Sequence, residues 1–207
     1  MQLDIWLTML VATIVISVSP GAGAVVSMNY GLRYGLKRSY AAILGLQIGL
    51  LTQTFVVVIG LGSLITQSLT LFNIIKWIGV AYLIFLGVMK FVEKPMLPQD
   101  AENIKAFSFK KALIQASLIN MTNIKATVFL VAFIPQFLDP TKPIWTQFLI
   151  ICATLVVVDV IVMTGYSSLA SKLKFMVKSL RAITIQNRIT GAFLLLAALF
   201  VSTAKRA

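Results

Sequence analysis

The sequence predicts an all-α integral membrane protein with six transmembrane helices, and composition and residue order both point to this fold class. Hydrophobic residues make up 59% of the chain and charged residues only 12%, whereas soluble domains are about 25% charged. The mean hydropathy is +0.95. The apolar residues form long runs, and a bilayer core needs about 20 of them per helix. The 207 residues therefore suffice for about six spans, with no room for a soluble catalytic domain.

Six apolar runs are the expected spans, at residues 5–28, 40–63, 69–89, 112–138, 144–169 and 189–203. The fourth run is unusually polar and the sixth is short. A signal peptide is an alternative for the first run, because Ala22-Gly23-Ala24 resembles a cleavage site. The run opens with Asp4 and lacks a basic segment before it, so we interpret it as a span.

The Lys and Arg residues predict the orientation, because basic loops stay on the cytoplasmic side. Thirteen of them lie in the segments after the first, third and fifth runs, and four lie on the opposite side. Both termini should therefore face away from the cytoplasm. This topology signal also accounts for the net charge of +12, so no nucleic-acid partner is expected.

The hydrophilic segment 93–111 divides the chain into halves of three spans, 1–92 and 112–207. Because each half has an odd number of helices, an internal repeat must be inverted, and inverted repeats place a substrate between the halves near the midplane. A weak repeat is visible: Lys76-Trp77-Ile78-Gly79 is similar to Arg188-Ile189-Thr190-Gly191. Chance similarity between apolar helices is the alternative.

The first predicted helix is expected to break at Pro20, Gly21 and Gly23. Proline removes a backbone hydrogen bond and glycine lowers the cost of unwinding. Backbone groups freed inside a membrane must line a cavity or be covered by protein, and the N-terminus of a half-helix favours an anionic group. The alternative is a simple kink with small residues for tight packing.

Asp159 is the only acidic residue inside a long apolar run. A carboxylate there must face a polar cavity, hold a partner or take up a proton, because a low dielectric disfavours its charged form. Asp159 is therefore the predicted proton-coupling residue. Tyr166 lies two turns away on the same side of the helix, and its hydroxyl would extend a polar path.

In the fourth run, Asn120, Asn123 and Thr127 form a polar stripe. Lys125 lies about 200° from Asn123 on a regular helix, so the two cannot face one cavity. Either Lys125 extends toward the membrane surface or the helix opens there. An inward Lys125 would be the counter-charge for Asp159 or for a substrate carboxylate.

Glycines in the second run, Gly45 and Gly49, are expected mainly to allow close helix packing. Gln47 and Gln53 in the same run are possible polar contacts. The chain has one cysteine, Cys152, and no histidine, so neither a disulfide, a metal site nor a cofactor is expected. It also lacks a nucleotide-binding glycine loop and a Ser-His-Asp set. These absences predict a transporter driven by an ion gradient, not an enzyme.

Several motifs, in order along nearly the whole chain, resemble the lysine exporter and homoserine/threonine resistance superfamily. They include Ser19-Pro20-Gly21-Ala22-Gly23-Ala24, Asn120-x-Thr122-Asn123-x-Lys125, Phe133-x-Pro135-Gln136-Phe137 and Val158-Asp159. The superfamily's usual Pro-Gly-Pro is Pro20-Gly21-Ala22 here, as in its homoserine-like subgroup. Its Asn-Pro-Lys is Asn123-Ile124-Lys125, which lacks the proline that would break the fourth helix.

The resemblance implies a multi-pass protein of the bacterial inner membrane that exports small neutral amino acids or their lactones by proton antiport, with homoserine, its lactone and threonine as candidate substrates. The substrate would contact the two interruptions and nearby polar side chains: Pro20, Gly21, Gly23, Gln47, Asn120, Asn123, Lys125 and Tyr166. Its expected partners are the amino acid, protons and lipid, with a homodimer left open. A passive channel or uptake protein for small polar solutes, and a membrane-embedded assembly or redox protein, are the alternatives.

Overall fold

The computed structural model describes residues 1–67, 69–93, 106–139, 141–172 and 180–203, and this part of the chain is helical without a strand. Most of the predicted connecting segment 93–111 lies outside the described residues, as do the basic residues Lys94, Lys105, Lys174, Lys178, Lys205 and Arg206. The helices are α1 (Leu3–Val18), α2 (Ala22–Tyr34), α3 (Leu36–Gln67), α4 (Leu69–Val92), α5 (Phe109–Met121), α6 (Ile124–Phe133), α7 (Ile144–Lys172) and α8 (Leu180–Thr203), and a short 3₁₀ helix, Ile134–Phe137, extends α6.

Two of the six predicted spans are broken helices. The first divides into α1 and α2 and the fourth into α5 and α6, and each pair is bent by 55°. Among the described residues, three helices are long and apolar enough to cross a bilayer alone, and the two bent pairs raise that number to five. The helix α4 occupies the predicted third span but is not among these five. The count of six spans therefore stays a prediction.

Several helices extend beyond the apolar runs because hydrogen bonding continues past the hydrophobic residues. α2 continues to Tyr34 and ends at Gly35, whose φ of 77° is a left-handed conformation that glycine adopts without strain. α8 begins at Leu180, nine residues before the predicted start. Periodic hydrophobicity locates the buried part of a helix better than its ends.

α3 and α7 form the centre of the bundle. α3 contacts α2, α5, α6 and α7, and α4 packs mainly on α8 and α6. Glycine permits the close approaches that the sequence predicts: a Cβ added to Gly49 would lie 2.7 Å from the Ser117 carbonyl oxygen of α5. Between α4 and α8, a Cβ on Gly191 would lie 2.8 Å from the Gly87 carbonyl oxygen.

Most of the buried apolar residues that the structure describes form two clusters, one at each end of the bundle. One, which we call the aromatic cluster, contains Phe129, Phe133 and Phe137 together with Leu50 of α3 and Leu155 of α7. The other, the small cluster, contains Ala24, Ile43, Leu46, Ala116 and Met163, with Ala42 and Val26. Along both α3 and α7 the polar residues Gln47 and Asp159 fall between the two clusters, so a polar layer crosses the middle of the bundle.

Candidate functional site

The break between α1 and α2 leaves carbonyl groups at the end of α1 without partners in the helix. Ser19 has a ψ of 110°, and Gly21 has an extended backbone with φ −138° and ψ −159°. The Tyr166 hydroxyl donates to the Val18 carbonyl oxygen at 2.6 Å. The Lys125 ammonium donates to the Ser19 carbonyl oxygen at 3.0 Å. Side chains from α7 and α6 therefore provide hydrogen-bond donors for the carbonyl groups freed at the break that the sequence predicts near Pro20.

The break between α5 and α6 forms without a proline. Asn123 caps α6, its side-chain oxygen accepting from the Ala126 amide at 3.4 Å. Gln53 Nε2 donates to the Met121 carbonyl oxygen at 3.2 Å and to Thr127 Oγ1 at 2.6 Å. Of the two alternatives for Lys125, the helix opens, and the lysine lies inside the bundle.

Asn120 joins this break to α3. Its Nδ2 donates to the Leu46 carbonyl oxygen at 2.6 Å, and the side chain is buried. One turn earlier in α5, Ser117 Oγ donates to the Gly45 carbonyl oxygen at 2.9 Å. These two bonds fix the end of α5 against α3, so the second break has a defined position relative to the centre of the bundle.

The two breaks face each other across a central cavity of about 90 Å³. A water molecule needs about 10–15 Å³ of such space, so the cavity could hold several waters or one small polar solute. Its polar lining comes from both breaks and from α7, while leucine, phenylalanine and methionine side chains close it: Ser17, Ser19, Gly21, Gly23, Asn120, Asn123, Lys125 and Asp159, with Leu46, Leu50, Phe129, Leu130, Leu155 and Met163 among the apolar residues.

Asp159 and Lys125 bring opposite charges to this cavity without forming an ion pair. Asp159 Oδ2 accepts from Gln47 Nε2 at 2.7 Å. The Lys125 ammonium also contacts Ser19 Oγ at 3.1 Å. It lies at the C-terminal end of α1, where the helix dipole favours a cation. The ion pairs found among the described residues are Lys90–Glu93 and Lys142–Asp139.

The structure brings most of the predicted site residues together. Six of them line the central cavity: Gly21, Gly23, Asn120, Asn123, Lys125 and Asp159. Gln47 lies behind Asp159 and is bonded to it, whereas Tyr166 is bonded to Val18. Pro20 lines a neighbouring cavity. The geometry makes these residues neighbours, and their roles remain predictions.

Two residues outside the predicted substrate contacts hold the breaks: Ser19, which the sequence showed as part of a motif, and Gln53, which it indicated as a possible polar contact. Ser19 supplies both oxygen atoms that hold Lys125, and Gln53 holds the second break. The position of Ser19 directly before Pro20 is a sequence signal for this role, because a proline ends the helix and leaves the preceding carbonyl free to accept a hydrogen bond. Gln53 is recognisable as a polar residue inside an apolar run, but its partners are distant in the sequence and could not be predicted.

Two further cavities border α2. The first, of about 240 Å³, shares Gly21, Asn123 and Lys125 with the central cavity and extends to Lys90 of α4 and Asn187 of α8. The second, of about 700 Å³, lies between α2 and the start of α5, where Arg33 and Lys111 are part of its lining. We call them the lateral cavity and the large cavity.

Comparison with known proteins assigns the chain to a family. Residues 14–205 match the LysE type translocator family. A membrane protein of Vibrio cholerae with no assigned function is 42% identical over 205 residues, covering 99% of this chain and 100% of the relative. The homoserine/homoserine lactone efflux protein of Salmonella typhi is 35% identical over 212 residues, covering 100% of both chains.

A more distant relative is the leucine efflux protein of Klebsiella pneumoniae, which is 31% identical over 156 residues, or 74% of this chain and 73% of the relative. No solved structure matches the chain. The family match covers nearly the whole chain, including both helix breaks and Asp159, and the relatives named above are membrane or efflux proteins. This multi-pass helical chain therefore belongs to the LysE type translocator family.

Proposed function

We propose that the protein is a secondary active exporter that exchanges protons for small neutral amino acids or their derivatives. Homoserine and homoserine lactone are the first candidate substrates, because a relative with this name aligns over the full length of both chains. Leucine is the second, from a relative that aligns over three quarters of the chain.

The observation that carries the proposal is the shared lining of the central cavity by Asp159 and Lys125. An ionisable residue at membrane depth is expensive and typically marks a substrate or ion pathway. A carboxylate that can take up a proton when the substrate leaves couples the two movements. Among the described residues, no second acidic residue lines this cavity, so Asp159 would be the coupling residue.

The two charges match the two ends of an amino-acid zwitterion. The substrate carboxylate would lie near Lys125 and the first amides of α2, since a helix N-terminus favours an anion. The ammonium would bind Asp159. Gln47 lies behind Asp159 and would hold this carboxylate through its Nε2, and its buried Oε1 has no hydrogen-bond partner among the described residues. A lactone, which has no carboxylate, would use only the contacts to the ammonium.

The proposed architecture is six spans in two inverted halves that alternate access to this site. Two broken spans with the same bend of 55° support it, as do the pairings of α3 with α7 and of α4 with α8 between the halves. The proposed membrane is the bacterial inner membrane, with both termini outside the cytoplasm. In this orientation, Arg33 at the end of α2 and Lys90 at the end of α4 would lie on the cytoplasmic side.

Everted membrane vesicles with an acidic interior test the coupling. The wild-type protein should accumulate labelled homoserine, and a protonophore should abolish the accumulation. Asp159→Asn should reduce accumulation at least tenfold, because the amide keeps the size of the side chain but cannot exchange a proton. Asp4→Asn, in the first turn of α1, is the matched control and should behave as wild type.

The same assay separates export by antiport from a passive channel, the alternative function. A channel would equilibrate homoserine at the same rate with and without the pH gradient. If Asp159→Asn still accumulated homoserine against its concentration gradient, the coupling role of this carboxyl group would be wrong.

A further inference from the structure

The lateral cavity reaches the central cavity at Lys125 and contains a second cation, Lys90. The two cavities share Gly21, Asn123 and Lys125. The Lys125 ammonium lies at this junction: a Cβ added to Gly21 would be 3.3 Å from its nitrogen. A solute in the lateral cavity would therefore meet the same ammonium as a solute in the central cavity.

The lining of the lateral cavity is suited to an anionic group of small size. Its polar side chains are Lys90, Lys125, Asn123, Asn187 and Thr190, and no acidic residue in the described part of the chain lines it. Lys90 and Asp159 are both close enough to Lys125 to act on it electrostatically. Glu93, one turn beyond Lys90, pairs with it from outside this lining and reduces its field.

We infer that the lateral cavity is the cytoplasmic access route of the substrate, and that Lys90 attracts the carboxylate of the amino acid before Lys125 binds it. This inference rests on the proposed export function and orientation. Lys90 acts on the approach of the substrate and Lys125 at its final position, so the two lysines form successive sites for one carboxylate. Charged walls around a cleft raise the local concentration of an oppositely charged solute, and whole clefts raise its association rate by about 10- to 1000-fold.

The predicted signature is selectivity for the carboxylate. In everted vesicles, whose outer face is the cytoplasmic one, Lys90→Gln should raise the half-saturating concentration of homoserine about threefold to tenfold. The half-saturating concentration of homoserine lactone should stay the same or fall, because the lactone has an ammonium and no carboxylate. Leucine and leucinamide provide a second pair with the same difference, so the experiment does not depend on one substrate.

Three variants complete the experiment. Lys90→Arg keeps the charge and should restore wild-type values. Glu93→Gln should lower the half-saturating concentration for the two carboxylates, since it removes the acid that pairs with Lys90. Lys142→Gln removes a paired lysine that is not among the lining residues of the three described cavities and is the matched control.

Two results would overturn the inference while leaving the export function intact. One is that Lys90→Gln raises the half-saturating concentrations of acid and lactone or amide equally, and the other is that it changes neither. If the wild-type vesicles accumulated none of the four compounds, the proposed function would itself be wrong, and the inference would fall with it.

Discussion

At the scale of single residues, the position of Lys125 depends on the absence of a side chain at residue 21. Gly21 has an extended backbone, which any residue adopts, so its importance lies in space and not in conformational freedom. A Cβ there would lie 3.3 Å from the Lys125 nitrogen and 3.5 Å from its Cδ. The lysine would have to move by a few tenths of an ångström.

Gly21→Ala should therefore fold normally and transport less well. We expect a loss of about twofold to tenfold in homoserine accumulation, because small displacements of a binding group are costly, and a larger loss for Gly21→Val. Gly165→Ala is the control, since a Cβ at Gly165 would meet no atom within 4 Å. Wild-type accumulation by Gly21→Val would show that Lys125 needs no fixed position.

Single residues were predictable where their chemistry conflicts with a membrane. Asp159, Lys125 and Pro20 are each costly inside an apolar run, and each lies at or beside the central cavity. Lys90 was not predictable as part of a pathway, because a lysine at the end of a span is normally a topology signal. Its link to Lys125 depends on the packing of α4 against α6, which sequence spacing does not reveal.

At the scale of the helices, Gln53 takes the place of a proline in the break between α5 and α6. Its Nε2 satisfies the freed Met121 carbonyl and bonds to Thr127 in α6, so it bridges both sides of the break. The sequence could indicate a polar interruption here. It could not show that the helix opens, because Ile124 has an amide hydrogen and the residue that holds the break belongs to α3.

Gln53→Leu should destabilise the protein by about 1 kcal/mol, because a partly buried carbonyl and the Thr127 hydroxyl each lose a hydrogen-bond donor. Adding Ile124→Pro should recover part of this loss. Proline fits the first position of a helix and requires an extended preceding residue, and Asn123 already has φ −75° and ψ 95°.

Two measurements test the Gln53 variants: the apparent melting temperature of the protein in detergent, and the accumulation of homoserine in vesicles. Thr52→Val is the control, because the Thr52 hydroxyl is exposed and bonds within its own helix. If Ile124→Pro lowered the stability of Gln53→Leu further, the break would not be in the geometry described above.

At the scale of the whole molecule, the two ends of the bundle are packed differently. The aromatic cluster closes one end, with ring centroids of Phe129 and Phe133 at 4.5 Å and of Phe133 and Phe137 at 4.5 Å. At the other end the large and lateral cavities border α2. On the proposed orientation, this conformation is accessible from the cytoplasm and closed on the opposite side.

Single cysteines can test this asymmetry, because Cys152 is the only natural one and is buried. In a Cys152→Ser background, Asn29→Cys in the large cavity should react with a membrane-impermeant maleimide in everted vesicles. Ala132→Cys, which is 2% exposed and packs against Gly79 of α4, should not react. Equal labelling of the two would contradict the asymmetry, and Cys152→Ser alone should remain unlabelled and active.

The sequence predicted the helical class, the approximate positions of the helices and the first break, because these follow from local composition. The assembly of the cavity did not follow from local pattern. It depends on contacts such as Gln47 with Asp159 and Asn120 with Leu46, which join residues far apart in the chain.

The helix α2 has a non-helical residue at each end, Gly21 and Gly35, and the large and lateral cavities both border the face that carries Ala22 and Val25. Its 13 residues make a rod about 20 Å long. A swing of about 10° at the Gly21 end would carry the far end about 3 Å, roughly the diameter of one water molecule. A small rearrangement around a bound solute at Gly21 would thus move the Tyr34 end of α2 far enough to admit or exclude water beside the large cavity.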